Sequence, residues 1–208
     1  MTTGTARADA LTRAVLVVAR LLPAAAVLLA APLLLDVVLG VPGAAAELHR
    51  RAPDVLGKAA LGTLLGSYAI TPIATLTGWR WHIILRRDYG LWTFAIAATD
   101  LVLAAVLDER GWQAGIAGSA GLAAGTMATL LLIPLALTSN RWSMRMLGRD
   151  WKRLHVLVLP VLLLVAAHLV FIGSDAFAIA FLGVVAVLWA LRLRPVTRWI
   201  GRVRAARA

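Results

Sequence analysis

Six long apolar runs, separated by short polar connections, dominate this sequence. A helix needs about 20 residues to cross the ~30 Å hydrocarbon core of a bilayer, and each run approaches that length. We therefore predict an all-α integral membrane protein, a bundle of about six transmembrane helices that forms one domain over residues 1–208. The predicted spans are residues 18–40, 56–77, 91–107, 120–138, 155–173 and 176–193.

Composition excludes several functional classes. The chain is 61% hydrophobic and 15% charged, whereas soluble domains are roughly 45–50% apolar and about 25% charged. The net charge of +11 does not indicate a nucleic-acid partner, because the basic residues occupy the gaps between apolar runs. The chain has no Cys, which excludes thiolate nucleophiles, Cys-ligated zinc and iron–sulfur clusters. Any redox centre must therefore be held by His or another side chain.

The basic residues also predict the orientation in the membrane. With a cytoplasmic N-terminus, 17 of the 21 Lys and Arg residues fall on the cytoplasmic side of the predicted spans. The first run has a basic flank like a signal peptide, but it is longer than a signal core, so we predict a retained helix. We expect a multi-pass protein of the bacterial plasma membrane with both termini cytoplasmic. The basic tail, residues 194–208, is expected to contact the anionic inner leaflet of the lipid bilayer.

Two histidines, His155 and His168, lie in the fifth run. Ionisable residues within a membrane span are costly and usually face the bundle interior. Thirteen residues separate the pair by roughly 20 Å, a spacing that suits two redox centres, although an ideal helix places them about 140° apart. Pro160 lies between them, and a kink there would rotate one half of the helix against the other. The alternative is that both rings are simply buried and hydrogen-bonded to neighbouring helices.

A carboxylate, Asp100, interrupts the third run. It lies 13 residues beyond Arg87, and His168 lies 15 residues beyond Arg153, so both helices should bring these residues to the same level. An unpaired carboxylate at that depth would cost several kcal/mol. The sequence therefore predicts that Asp100 and His168 are neighbours.

A resemblance follows from the segment "LALTSNRWSMRMLGRDWKRLH", residues 135–155, which continues into "HVLVLPVLLLVAAHLVFI". This order resembles the ferric-reductase-like transmembrane family, in particular its MsrQ type, the haem-binding membrane subunit of the bacterial methionine sulfoxide reductase system. The segments "GKAALGTLLGSYAITPIATLTG" and "LRRDYGLWTFAIAATDL" agree with the second and third helices of that family. The similar region covers roughly residues 56–173.

The resemblance implies one or two b-type haems held between the third and fifth helices, with His155 and His168 at ligand positions. It implies electron transfer from a quinol or a separate reductase to an outer-face acceptor, such as a periplasmic reductase. The basic cluster that includes Arg141 and Arg145 would suit haem propionates, an FMN phosphate or anionic lipid, or would serve only to set topology. No flavin or nicotinamide domain is expected in this sequence, so the chain is at most the electron-transfer component of an oxidoreductase.

The third helix of the family normally supplies another His, ten residues after the glycine that corresponds to Gly90. In this chain that position is Asp100. Three outcomes stay open: a five-coordinate haem on His168, a haemless pair in which Asp100 accepts a hydrogen bond from His168, or a site that relays protons or binds another ligand. The alternative function is therefore a haemless relative that acts as a structural or partner-binding membrane subunit.

Overall fold

The computed structural model describes residues 3–25, 28, 39–78, 84–107, 118–173 and 175–205, and within these residues it contains helices and no strands. The all-α prediction is confirmed. The helices are α1 (Thr3–Leu21), α2 (Ala44–Thr77), α3 (Leu85–Leu107), α4 (Ala120–Leu137), α5 (Arg141–Leu147), α6 (Arg149–Leu154), α7 (Val158–Phe171), α8 (Asp175–Ala190) and α9 (Arg194–Ala205), with a 3₁₀ turn at His155–Leu157.

Three helical segments of the described residues are long and apolar enough to cross a membrane, namely Asp54–Thr77, Ala120–Leu137 and Arg149–Phe171. A shorter apolar helix covers Ala176–Ala190. These segments correspond to the second, fourth, fifth and sixth predicted spans, and α3 contains the third. The first predicted span, 18–40, lies mostly outside the described residues.

Several large apolar side chains of these helices point away from the protein. Ile179 of α8 is 72% exposed and Leu163 of α7 is 66% exposed. In water, a surface of this kind would be an aggregation hazard, whereas lipid tails cover it without cost. The exposed apolar positions thus agree with a lipid surrounding.

The chain forms two compact units, Met1–Thr93 and Phe94–Ala208. The boundary falls inside α3, so one continuous helix contributes to both units. The prediction of a single domain over residues 1–208 stays a prediction.

In the first unit, hydroxyl groups join α2 to the start of α3. The Thr93 hydroxyl contacts the Thr63 hydroxyl at 3.1 Å in a buried position, and the Ser67 hydroxyl donates to the Arg86 carbonyl at 2.8 Å. Lipid offers no hydrogen-bonding partners, so polar groups within a span must find them in the protein. These contacts fix α3 against α2.

Gly66 of α2 is a close-packing position in the same unit. A Cβ added there would lie 2.9 Å from the Tyr89 ring, whereas a Cβ on Gly62 would meet no atom within 4 Å in the part of the chain that the structure describes. Close packing in "GTLLG" therefore involves Gly66 rather than Gly62 among the residues that the structure describes.

Gly66→Ala is expected to destabilise the protein by about 1–3 kcal/mol, because the methyl group must displace the Tyr89 ring or the helix. Gly62→Ala should be neutral or stabilising, since Ala is the better helix former. Unfolding in mixed micelles, followed by circular dichroism, measures both changes. Equal stability of the two variants would contradict this packing.

In the second unit, α4 and α7 pack against each other in antiparallel directions. Gly121 near the start of α4 lies beside Ile172 at the end of α7, and Ser139 after α4 lies beside His155 before α7. The packed faces are buried and apolar, with Ala124, Ala128, Leu132 and Leu135 on α4 and Val161, Leu162 and Ala166 on α7. This pair forms the frame of the candidate site.

The fifth span differs from the prediction in two ways: its helix begins earlier, and its distortion is a 3₁₀ turn before Pro160. We predicted a span beginning at His155 with a kink at Pro160, but the helical segment begins at Arg149 and contains the 3₁₀ turn just before Pro160. Pro160 lacks the N–H that would bond the Val156 carbonyl. The Val158 N–H instead points to the carbonyls of His155 and Val156. The helix is thus tightened locally just before Pro160.

Two predicted connections are helical. The inner connection between the fourth and fifth spans forms α5 and α6, because the Asn140 side chain caps α5 and Gly148, at φ +50°, separates the two. The connection before the second predicted span is helical as well, and His49 lies on this N-terminal extension of α2. His82 falls outside the described residues.

The basic tail, predicted over residues 194–208, forms α9 as far as residue 205. Ile200 is buried, while Arg198, Trp199 and Arg202 are exposed. The tail is therefore an amphipathic helix with one apolar side chain packed on the protein.

Candidate functional site

His168 lies in the last turn of α7 and reaches across to α4. Its Nδ1 atom is 2.7 Å from the Gly121 carbonyl oxygen. A carbonyl oxygen only accepts, so Nδ1 carries the hydrogen and donates it. In the neutral ring this assignment leaves Nε2 with its lone pair, which is the state that a metal-ligating imidazole needs.

The ring of His168 lies directly on Gly125. A Cβ added to Gly125 would be 2.9 Å from His168 Nδ1 and 3.1 Å from Cε1. A Cβ added to Gly121 would be 3.0 Å from the Ile172 side chain and 3.3 Å from Cβ of Phe171. We call Gly121 and Gly125 the glycine slot. The "GLAAG" segment of α4 therefore packs closely against the end of α7.

Asp100 of α3 is half-buried and interacts electrostatically with His168. The predicted proximity of the two residues is thus confirmed. Within the part of the chain that the structure describes, no hydrogen bond or ion pair joins them directly, and the Nδ1 hydrogen goes to Gly121 instead. Of the three outcomes foreseen for Asp100, the directly hydrogen-bonded pair is not the arrangement found.

His155 occupies the opposite end of the α4–α7 pair. Its Nδ1 donates to the Trp151 carbonyl at 3.0 Å, and its ring stacks on the Trp151 indole with centroids 4.0 Å apart. Its Nε2 faces the Ser139 hydroxyl at 3.5 Å, and the Trp151 indole N–H donates to the Thr138 carbonyl at 2.9 Å. These contacts hold the second imidazole against the C-terminal end of α4.

The 3₁₀ turn changes the angular relation of the two histidines. Each residue of a 3₁₀ helix turns the chain by about 120°, whereas each residue of an α-helix turns it by about 100°. With three residues in the 3₁₀ turn, the side chains of His155 and His168 lie about 80° apart around the helix axis, instead of the about 140° of an ideal α-helix. The longer rise of the 3₁₀ turn gives an axial separation of about 21 Å. His155 and His168 therefore sit at two levels of one helix and contact the same neighbouring helix.

The basic residues Arg141 and Arg145 lie on α5 with exposed side chains. Exposed apolar side chains accompany them, including Trp142 and Met146. Farther along, Arg153 pairs with Asp150 at 2.9 Å. The described residues contain no group of three or more His, Asp and Glu side chains that could hold a bare metal ion.

Sequence reasoning found His168, His155 and Asp100 but missed the residues that hold the two rings. The acceptor at Gly121 is a main-chain carbonyl oxygen, which every residue type has, so the sequence does not reveal it. The stack of His155 on Trp151 did have a signal, because residues four apart share a helix face.

The family model described as "Ferric reductase like transmembrane component" matches residues 56–166. The chain is also 36% identical over 153 residues to the protein-methionine-sulfoxide reductase heme-binding subunit MsrQ of Rhizobium meliloti (strain 1021), covering 70% of each chain. The chain belongs to the ferric-reductase-like transmembrane family. A second member of this family, the MsrQ of Xanthomonas campestris pv. campestris (strain B100), is 41% identical over 127 residues, which are 59% of this chain and 56% of the relative. No solved structure matches the chain.

The ferric-reductase-like match confirms the predicted family, its MsrQ type and the all-α membrane bundle. The matched residues include Asp100 and His155 and end two residues before His168. They agree closely with the region of resemblance predicted over 56–173.

Proposed function

We propose that this chain is a membrane electron-transfer subunit that holds b-type haem through His168, with His155 at a second, inner ligand position. The observation that carries the proposal is the hydrogen bond from His168 Nδ1 to the Gly121 carbonyl, which leaves Nε2 as the coordinating nitrogen. The named haem-binding function of the MsrQ relatives supports the same reading. When bound, haem supplies one-electron redox chemistry.

The residues around His168 suit a ligand for an iron that changes charge. The hydrogen bond to Gly121 raises the basicity of the imidazole. The ring also lies near the C-terminal end of α7, where the Ile172 N–H bonds the His168 carbonyl at 3.0 Å and Gly173, at φ +78°, ends the helix. The partial negative charge of a helix C-terminus stabilises a nearby positive charge. Both features favour the oxidised state of an iron held by His168.

Asp100 distinguishes this site from one with two imidazoles. With Asp100 where an imidazole is expected, His168 would be the one histidine to hold haem at the outer position, and the Asp100 carboxylate would lie close to it. The negative charge of the Asp100 carboxylate would lower the reduction potential of a haem held by His168. This arrangement is the five-coordinate outcome foreseen from the sequence.

The distribution of basic residues supports an orientation with both termini in the cytoplasm of a bacterium and His168 towards the outer face of its plasma membrane. Electrons would then enter at the inner face from a quinol or a separate reductase and leave to a periplasmic acceptor. The relatives are named as subunits of a methionine sulfoxide reductase, which supports a reductase of that kind as acceptor. We assign Arg141, Arg145 and the basic helix α9 to the inner face, where they would contact anionic lipid, haem propionates or an FMN phosphate.

A second candidate function is a haemless membrane subunit that binds a partner protein, favoured by Asp100 at a position where an imidazole is expected. The absorption spectrum of the protein, purified after expression with added haem precursor, separates the two functions. We expect a Soret band that shifts on reduction with dithionite. A purified, folded protein without a Soret band would overturn the electron-transfer proposal and leave the haemless one.

A further inference from the structure

The contact between His168 and α4 restrains the imidazole in two separate ways. We infer that Gly121 and Gly125 are positioning residues for His168: the Gly121 carbonyl determines which ring nitrogen carries the hydrogen, and the bare surface of Gly125 determines the plane of the ring. The inference rests on the proposed function in that His168 is taken as the haem ligand. On this inference, α4 controls the direction of His168 Nε2, although α4 contains no histidine.

The first restraint is electronic. An imidazole can carry its hydrogen on either nitrogen, and its last side-chain torsion has a broad, two-fold profile. The 2.7 Å bond to Gly121 selects one flip and one tautomer, because the opposite choice would set two lone pairs against each other. Nε2 therefore faces away from α4 as an acceptor.

The second restraint is steric. Cβ on Gly125 would approach three atoms of the ring, Nδ1 at 2.9 Å, Cε1 at 3.1 Å and Cγ at 3.4 Å. Contact with several atoms along one edge of a flat ring means that the ring packs against the glycine itself. Any side chain at position 125 would push His168 away and lengthen its bond to Gly121.

The backbone conformation gives no other reason for glycine at position 125. Gly125 is not among the glycines with positive φ and lies within α4. Glycine is a poorer helix former than alanine, so its presence within a helix weakens that helix. By contrast, a Cβ on Gly183 of α8 would meet no atom of the described residues within 4 Å. The close approach of His168 thus accounts for Gly125.

The test compares Gly125→Ala with the matched control Gly183→Ala in the full-length protein. We expect Gly125→Ala to weaken haem binding by about 10-fold or more, the usual effect of losing an outer-shell partner of a metal ligand. We also expect a shifted midpoint potential in the haem that remains, which a purely structural role would not produce. Gly183→Ala should change neither. Unchanged affinity and potential in Gly125→Ala would overturn the inference while leaving the proposed function intact.

A second measurement uses the haem-free protein. Gly125→Ala should lower stability when His168 is present but not in a His168→Ala background, where the added methyl group finds open space. Gly183→Ala should have the same effect in both backgrounds. If the wild-type protein holds no haem, the proposed function fails. The dependence of the Gly125→Ala effect on His168 still tests the contact between these two residues. Additive effects of Gly125→Ala and His168→Ala would overturn the inference.

Discussion

His168→Ala is expected to weaken haem binding at the His168 position by at least about tenfold, since losing an outer-shell partner alone costs 10–100-fold in metal affinity and this change removes the ligand. The substitution also removes the group that fills the space above Gly125. Haem per protein is measured by the pyridine haemochrome spectrum. Helical content, measured by circular dichroism, should stay unchanged because most of α7 packs through other residues.

Val170→Ala is the matched control for this change. Val170 lies in the same last turn of α7 and is 45% exposed, so its truncation removes a similar apolar contact without touching the site. It should leave the haem content as in the wild type. Full haem content in His168→Ala would contradict the assignment of the ligand. In the same assay, His155→Ala counts the sites: loss of about half the haem indicates two haems, and no loss indicates one.

Asp100→His should increase haem affinity severalfold and convert the spectrum to that of a six-coordinate, low-spin haem. The reason is that Asp100 already lies within electrostatic reach of His168, so an imidazole there would offer a second nitrogen to a haem held by His168. Asp100→Asn is the control, because it removes the charge and supplies no imidazole. We expect the spin state of the Asn variant to match that of the wild type.

The opposite result for Asp100 would also be informative. If Asp100→His bound less haem than Asp100→Asn, the space between α3 and His168 would be too small for an imidazole beside haem. The outer position would then be closed, as in the haemless alternative. An unaltered spin state with full haem content would show that the side chain at position 100 does not face the iron.

The sequence predicts the large features of this molecule because a membrane imposes a one-dimensional pattern on it. Runs of apolar residues locate the spans directly, and counting residues from basic flanks correctly placed Asp100 near His168. The local departures from regular helix were not predictable in the same way. The 3₁₀ turn at His155–Leu157 depends on which carbonyls can find another donor once Pro160 supplies none.

The sequence predicts the two histidines of the candidate site but not the groups that hold their rings. His155 and His168 are conspicuous in an apolar helix, whereas the Gly121 carbonyl is one main-chain group among many. The spacing of Gly121 and Gly125 indicated a close approach without saying which side chain approaches. Only the register of α4 against α7 identifies His168 as that side chain.

The antiparallel pairing of α4 with α7 also restricts how this family member can change in length. Gly125 contacts His168 and Ser139 faces His155, so the number of residues between positions 125 and 139 is matched to the distance between the two histidines. Deleting one residue between them would shift one contact by about 1.5 Å and rotate it by about 100° around α4. Insertions and deletions in this stretch would separate one histidine or the other from its support.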